Sequence, residues 1–214
     1  SQLSVPDLAA LRAGAANLER HVRNLQQFGL TPVVCINRFP DDTEEEMSLV
    51  QSISESLGVR AVPADHWALG GEGATELAQA VLDQMDEGTP EVNFLYEDSL
   101  PLADKIRTIA TRIYHAGSVE FTTVAKRQLE EYESLGFGHL PVCIAKTQYS
   151  FSADSSVKGA PSGHTLPVRE VRLAAGAGFV VAVCGDIMTM PGLPRRPAAL
   201  DIALDDNGLV MGLT

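Results

Sequence analysis

Between residues 7 and 28, Leu8, Leu11, Ala15, Leu18, Val22 and Leu25 recur at spacings of three and four, which predicts an amphipathic helix. Gly29 ends it, and the apolar run Thr31-Pro-Val-Val-Cys-Ile36 predicts a strand over 32–36. Thr43 followed by Glu46 forms a capping-box pattern, opening a helix that closes near Gly58. Val59-Arg-Ala-Val-Pro63 predicts a second short strand, and Gly70-Gly-Glu-Gly73 precedes a helix from about 74 to 87. A short strand is expected over Asn93-Phe-Leu-Tyr96, then a helix from Pro101, as a first-turn proline, to about Tyr114.

The pattern changes after His115-Ala-Gly117. One more helix is expected from Thr122 to Leu135. Pro141-Val-Cys-Ile-Ala-Lys146, Leu166-Pro-Val-Arg-Glu-Val-Arg-Leu173 and Gly178-Phe-Val-Val-Ala-Val-Cys184 then read as strands separated by loops rich in Gly, Pro and Ser. Alternating segments around Asn207-Gly208 predict a terminal hairpin. The alternation of strand and helix gives an α/β fold. We expect a three-layer subdomain with a parallel sheet over residues 1–115, then a smaller α+β subdomain over 116–214.

Composition narrows the function classes. The 214 residues carry a net charge of −12, which disfavours nonspecific binding to nucleic acid or to anionic membranes. No apolar run approaches the roughly 20 residues that span a bilayer. Cys35, Cys143 and Cys184 sit apart in apolar runs, which predicts buried free thiols and a reducing, cytoplasmic setting. The five histidines show no metal-ligand spacing, and no catalytic acid, base or nucleophile has a partner at a known spacing.

The most specific chemistry follows the strand at 32–36. Strand ends are where open α/β sheets bind ligands, and here Asn37-Arg38-Phe39-Pro40 follows directly. A carboxamide such as Asn37 donates and accepts at once, matching the edge of adenine, although Asn37 and Asp41 could equally shape a turn. Phe39 and Trp67, each just after a predicted strand, could stack a flat heterocycle. Aromatic residues are more often core, and the polar loops around these two argue the other way. Gly70-Gly-Glu-Gly73 is a weak anion-binding signal, and Gly176-Ala-Gly178 reads better as close backbone packing. Arg195-Arg196 in a proline-bound loop could hold a carboxylate or phosphate, but adjacent arginines in such a loop are more often solvated or at an interface.

Several blocks together resemble the formate–tetrahydrofolate ligase family: Asn37-Arg-Phe-Pro-Asp-Asp-Thr43, Trp67 with Gly70-Gly-Glu-Gly73, and Gly136-Phe-Gly-His-Leu-Pro-Val-Cys-Ile-Ala-Lys-Thr-Gln-Tyr-Ser150. Lys158-Gly-Ala-Pro161, Gly176-Ala-Gly-Phe179 and Gly185-Asp-Ile-Met-Thr-Met-Pro-Gly-Leu-Pro194 extend the likeness in register along the chain. Pro63 and Gly163-His164 depart from it, where an apolar pocket residue and Gly-Phe are usual.

The resemblance implies a ligase making 10-formyltetrahydrofolate from formate, ATP and tetrahydrofolate through formyl phosphate. It implies that Phe39 and Trp67 sandwich the pterin with Pro40 beside them, and that Asn37 and Arg38 lie near the nucleotide. ATP and Mg²⁺, and a monovalent cation, belong to the complete enzyme, which is typically a homotetramer in bacteria. Such enzymes hold ATP on a Walker-type loop, yet no GxxxxGK[ST] occurs in these 214 residues. The expectation is a carboxyl-terminal portion, inactive as a ligase by itself, whose partner is the absent amino-terminal catalytic part. A non-catalytic folate-binding or oligomerisation module derived from that ligase is the alternative.

Overall fold

The computed structural model describes residues 5–187, 196–197, 200–205 and 210–212. The fold is α/β, in the order α1 (Leu8–Gln27), β1 (Val34–Asn37), α2 (Glu44–Ser56), β2 (Ala61–Ala64), α3 (His66–Leu69), α4 (Thr75–Asp86) and α5 (Leu102–Arg112). Then follow β3 (Ser118–Phe121), α6 (Thr123–Ser134), β4 (Val142–Ala145), β5 (Thr165–Ala174), β6 (Phe179–Cys184), β7 (Ala203–Leu204) and β8 (Val210–Met211). Among the described residues no helix is long and apolar enough to cross a membrane.

The expected periodic segments form where local chemistry supports them. Asp7 caps α1, its carboxylate accepting from the Ala9 and Ala10 amides at 3.0 and 2.9 Å. The capping box of α2 closes in both directions, with Glu46 N donating to Thr43 Oγ1 at 3.3 Å and Thr43 N to Glu46 Oε2 at 3.1 Å. β1 and β2 pair in parallel, Val34 opposite Ala61 and Asn37 opposite Ala64, with α2 as the crossover.

The larger sheet has four strands in the order β3-β5-β6-β4. β5 and β6 form an antiparallel hairpin, while β3 and β4 join its two sides in parallel. Leu102, Ile106 and Ala110 of α5 and Ala125 and Leu129 of α6 bury against Leu166, Val168, Val171, Val180 and Ala182. Thus α5, which precedes residue 115, packs with the sheet that follows it. Lys105 is enclosed in this core, and its ammonium donates to Gly138 O at 2.8 Å and Leu140 O at 3.0 Å. Burial holds that ammonium below its ordinary pKa, with Asp98 and Glu133 opposing the shift.

Several expectations are corrected. Residues 93–96 are not a strand: Asn93 N donates to Phe28 O, Leu95 O accepts from Arg112, and Tyr96 Oη accepts from Val142 N, so the segment is tied to helix ends and to β4. Pro101 is the N-cap residue of α5 and not its first turn, being extended at φ −55, ψ 145. β3 carries no expected counterpart: Ser-Val-Glu-Phe alternates polar and apolar over four residues only, the shortest run that signals a strand. Of the three thiols only Cys184 is buried. Cys35 and Cys143 lie on β1 and β4, which end their sheets among the described residues, and are exposed there. β7 and β8 pair antiparallel as the hairpin pattern predicts, and Asn207-Gly208 lies outside the described residues.

Candidate functional site

The parallel pair β1–β2 ends level, and both candidate loops leave from that end. The last ladder bond runs from Arg38 N to Ala64 O at 3.1 Å. The chain then turns sharply: Phe39 N donates to Asp42 Oδ2 at 2.8 Å, and Asp42 N returns to Phe39 O at 3.1 Å. Asp42, and not Asp41 or Asn37, therefore shapes this turn by bonding the backbone. Asn37 and Pro40 are exposed, and Arg38 reaches across to Glu44 at 2.9 Å in a half-exposed pair.

On the neighbouring strand, Ala64 leads through Asp65 into α3, which carries His66 and Trp67. A 3-10 turn over Gly70–Ala74 then brings the chain back. Asp65 N donates to Gly73 O at 2.9 Å, and Leu69 N to Asp65 O at 3.0 Å. The glycines serve this closure. Gly70 sits at φ 60, ψ −140, a region that side chains disfavour, and a Cβ on Gly73 would lie 2.3 Å from Asp65 O. The weak anion-loop reading is thus replaced by a geometric one.

Phe39 is 51% exposed and Trp67 70%, so neither is a core residue in this chain. Phe39 lies two positions past the end of β1 and Trp67 three past the end of β2, on the same edge of one parallel pair. Leu69, 59% exposed on the turn that carries Trp67, adds apolar surface that motif reading passed over. Large apolar side chains presented together at a strand-end edge are suited to covering a flat, partly apolar ligand.

Other candidates resolve into structure. Arg196 pairs with Asp201, and Arg195 lies outside the described residues. Gly178 is left-handed at φ +74 with open space around it, so backbone conformation and not close packing requires it. Lys146 sits 4.7 Å from the Tyr114 ring and donates to the carbonyls of Thr147, Ser150 and Ser152. That ammonium, held below its ordinary value by burial, ties a loop together. His164 is the unsatisfied member of the neighbourhood: both ring nitrogens are buried without a hydrogen-bond partner.

The chain is thus α/β, with two aromatic residues bared at the carboxyl edge of a parallel strand pair, the edge at which open α/β sheets take ligands. The family profile described as formate–tetrahydrofolate ligase matches residues 1–214. The chain is 58% identical over 212 residues to the formate–tetrahydrofolate ligase of Maricaulis maris, covering 99% of this chain and 38% of that protein. It is 57% identical over 213 residues to that of Paracoccus denitrificans (100% and 38%), and 53% identical over 214 residues to that of Beijerinckia indica (100% and 39%). The chain belongs to the formate–tetrahydrofolate ligase family. It spans 38–39% of the length of these relatives, as a partial chain of that family.

Proposed function

We propose that this chain is the carboxyl-terminal portion of an ATP-dependent ligase that joins formate to tetrahydrofolate as 10-formyltetrahydrofolate by way of formyl phosphate. The observation that carries the reading is the exposure of Phe39 and Trp67 at one edge of β1–β2. In this reading the two rings stack the pterin, Pro40 stiffens the rim, and Asn37 and Arg38 face the nucleotide. Stacking on both sides holds a flat ring in one plane and keeps water from it. Release of Arg38 from Glu44 would free a guanidinium for a neighbouring anion.

The residues present do not fit ATP phosphates or Mg²⁺. The sequence holds no GxxxxGK[ST], and the Gly70–Ala74 segment is a closed 3-10 turn. Those groups, and any monovalent cation, fall to the amino-terminal catalytic part. We expect a homotetrameric complete enzyme, which gel filtration checks.

Two measurements test the reading. Phe39→Ala and Trp67→Ala, placed in the complete enzyme, are each expected to weaken tetrahydrofolate binding by about 1–3 kcal/mol, roughly 5- to 150-fold in Kd. Unchanged affinity in both variants refutes the pterin assignment. The purified 214-residue chain is expected to show no ATP- and formate-dependent formylation; measurable turnover refutes the division of labour. The bared aromatic pair also supports a second reading, a folate-binding module without chemistry, which calorimetry with a folate analogue on this chain separates from the first.

A further inference from the structure

β1 is built as an inner strand and lies at an edge. Its run Val33-Val34-Cys35-Ile36 is apolar on both faces, the pattern of a parallel strand covered on both sides. Yet Cys35 is exposed, and Val34 and Ile36 are only half-buried, whereas Ala61, Val62 and Ala64 of the partner strand are buried. A two-stranded parallel ribbon is also short of what sustains a sheet by itself.

The hydrogen-bond parity shows which edge is open. Val34 N bonds Arg60 O at 2.8 Å and Arg38 N bonds Ala64 O at 3.1 Å, so residues 34, 36 and 38 face β2. The main-chain groups of Val33, Cys35 and Asn37 therefore point away from β2, with no backbone or side-chain partner among the described residues. The outer edge of β2 is closed by contrast. Pro63 points there and has no N–H, and the outward Ala61 carbonyl accepts from Gln51 Nε2 at 3.4 Å.

The helices supply the direction. α1 packs against α2 and runs the same way, since Asp7 N meets Glu46 Oε1 at the start of both, and Gln26 Nε2 donates to Leu57 O at the end of both. Successive parallel helices on one side of a sheet follow from successive right-handed crossovers in one direction. α2 connects β1 to β2, so by the same rule a strand feeding α1 would lie on the opposite side of β1.

We propose that the free edge of β1 receives a parallel strand from the segment immediately amino-terminal to α1 in the longer ligase chain. That strand pairs with the main-chain groups of Val33, Cys35 and Asn37 and covers Cys35. The relatives, of which this chain spans 38–39%, have ample further polypeptide to supply it.

Amide hydrogen exchange tests this without any substrate, so its outcome is independent of the pterin reading. In this chain alone, Cys35 and Asn37 amides should exchange freely while Ile36 is protected. In a chimera where this chain replaces the matching part of the Maricaulis maris enzyme, both should slow about a hundredfold or more. Cys35→Pro should leave the melting of the isolated chain near that of wild type, because that N–H is outside the β1–β2 ladder, and should abolish protection of Asn37 in the chimera. Free exchange at both positions in a folded chimera overturns the proposal. If the chimera fails to fold, the aligned positions of the intact Maricaulis maris enzyme decide the matter: protection supports the added strand, and free exchange refutes it.

Discussion

Replacing Gly73 with alanine should loosen the mount of Trp67 while leaving both candidate rings chemically intact. The new Cβ would stand 2.3 Å from Asp65 O, 2.4 Å from Asp65 C and 2.8 Å from His66 N, against 3.4–4 Å for ordinary contact. All three neighbours are backbone atoms, so no side chain can rotate away, and the two segments must part by roughly 1 Å. That movement stretches the bond from Asp65 N to Gly73 O, now 2.9 Å, which closes the loop carrying Trp67. Overpacking costs about 1–3 kcal/mol, and for a chain of this size each kcal/mol lowers Tm by about 2–4 °C, giving a fall of about 2–12 °C. Trp67 is the sole tryptophan, so fluorescence anisotropy and acrylamide quenching report on this loop alone, beside thermal unfolding by circular dichroism. Gly71→Ala is the control, since its Cβ meets nothing within 4 Å. A Gly73→Ala protein that matches Gly71→Ala in both Tm and Trp67 anisotropy would refute this account of the loop.

Cys35 and Cys143 should react with a thiol reagent in the native chain, while Cys184, buried and with its thiol pushed up to about 12 by burial, should react only on unfolding; three equally fast thiols would contradict this. His164→Phe should raise stability by about 1–2 kcal/mol in urea titrations, because it removes two buried nitrogens that lack partners; a destabilised variant would count against that account. Burial, then Lys146 and Arg20, hold the His164 imidazole below its ordinary 6.5, and burial with Arg20 does the same to His115. Below pH 6.5 the unfolded chain binds protons that the folded chain refuses, so stability is full above that pH and falls as pH drops through it toward the folded values. His164→Phe should flatten part of this loss as pH falls below 6.5, and an unchanged slope would show that His164 does not contribute to it. The loss below the ordinary carboxylate value of 4.5 should persist, since Glu46 and Glu170 are held low by bonds from Thr43 and Arg172.

Helices were legible because a 3.6-residue period over a dozen or more positions repeats its own signal, as along α1, and because caps such as Thr43 and Glu46 act within about four residues. The Asn37-Arg-Phe-Pro block could be located for the same reason: a strand followed by a polar turn is a local statement. What local pattern could not supply was pairing. β3 is recognisable only once Ser118–Phe121 lies beside Thr165–Val168, and residues 93–96 resemble a strand until their bonds are seen to go to Phe28, Arg112 and Val142. The thiols failed similarly, since an apolar run at a sheet edge looks in sequence like one at its centre.

By itself the sequence determined the long helices and the capping box that opens α2, the strand leading into Asn37, and membership of the formate–tetrahydrofolate ligase family. Tertiary structure alone decided that β1 and β2 are neighbours ending level, that Phe39 and Trp67 share one exposed edge, and that Gly73 closes the loop under Trp67. The reason is physical: propensity, capping and period act over a few residues, whereas exposure depends on which distant segments lie alongside, and long-range pairing leaves no local mark.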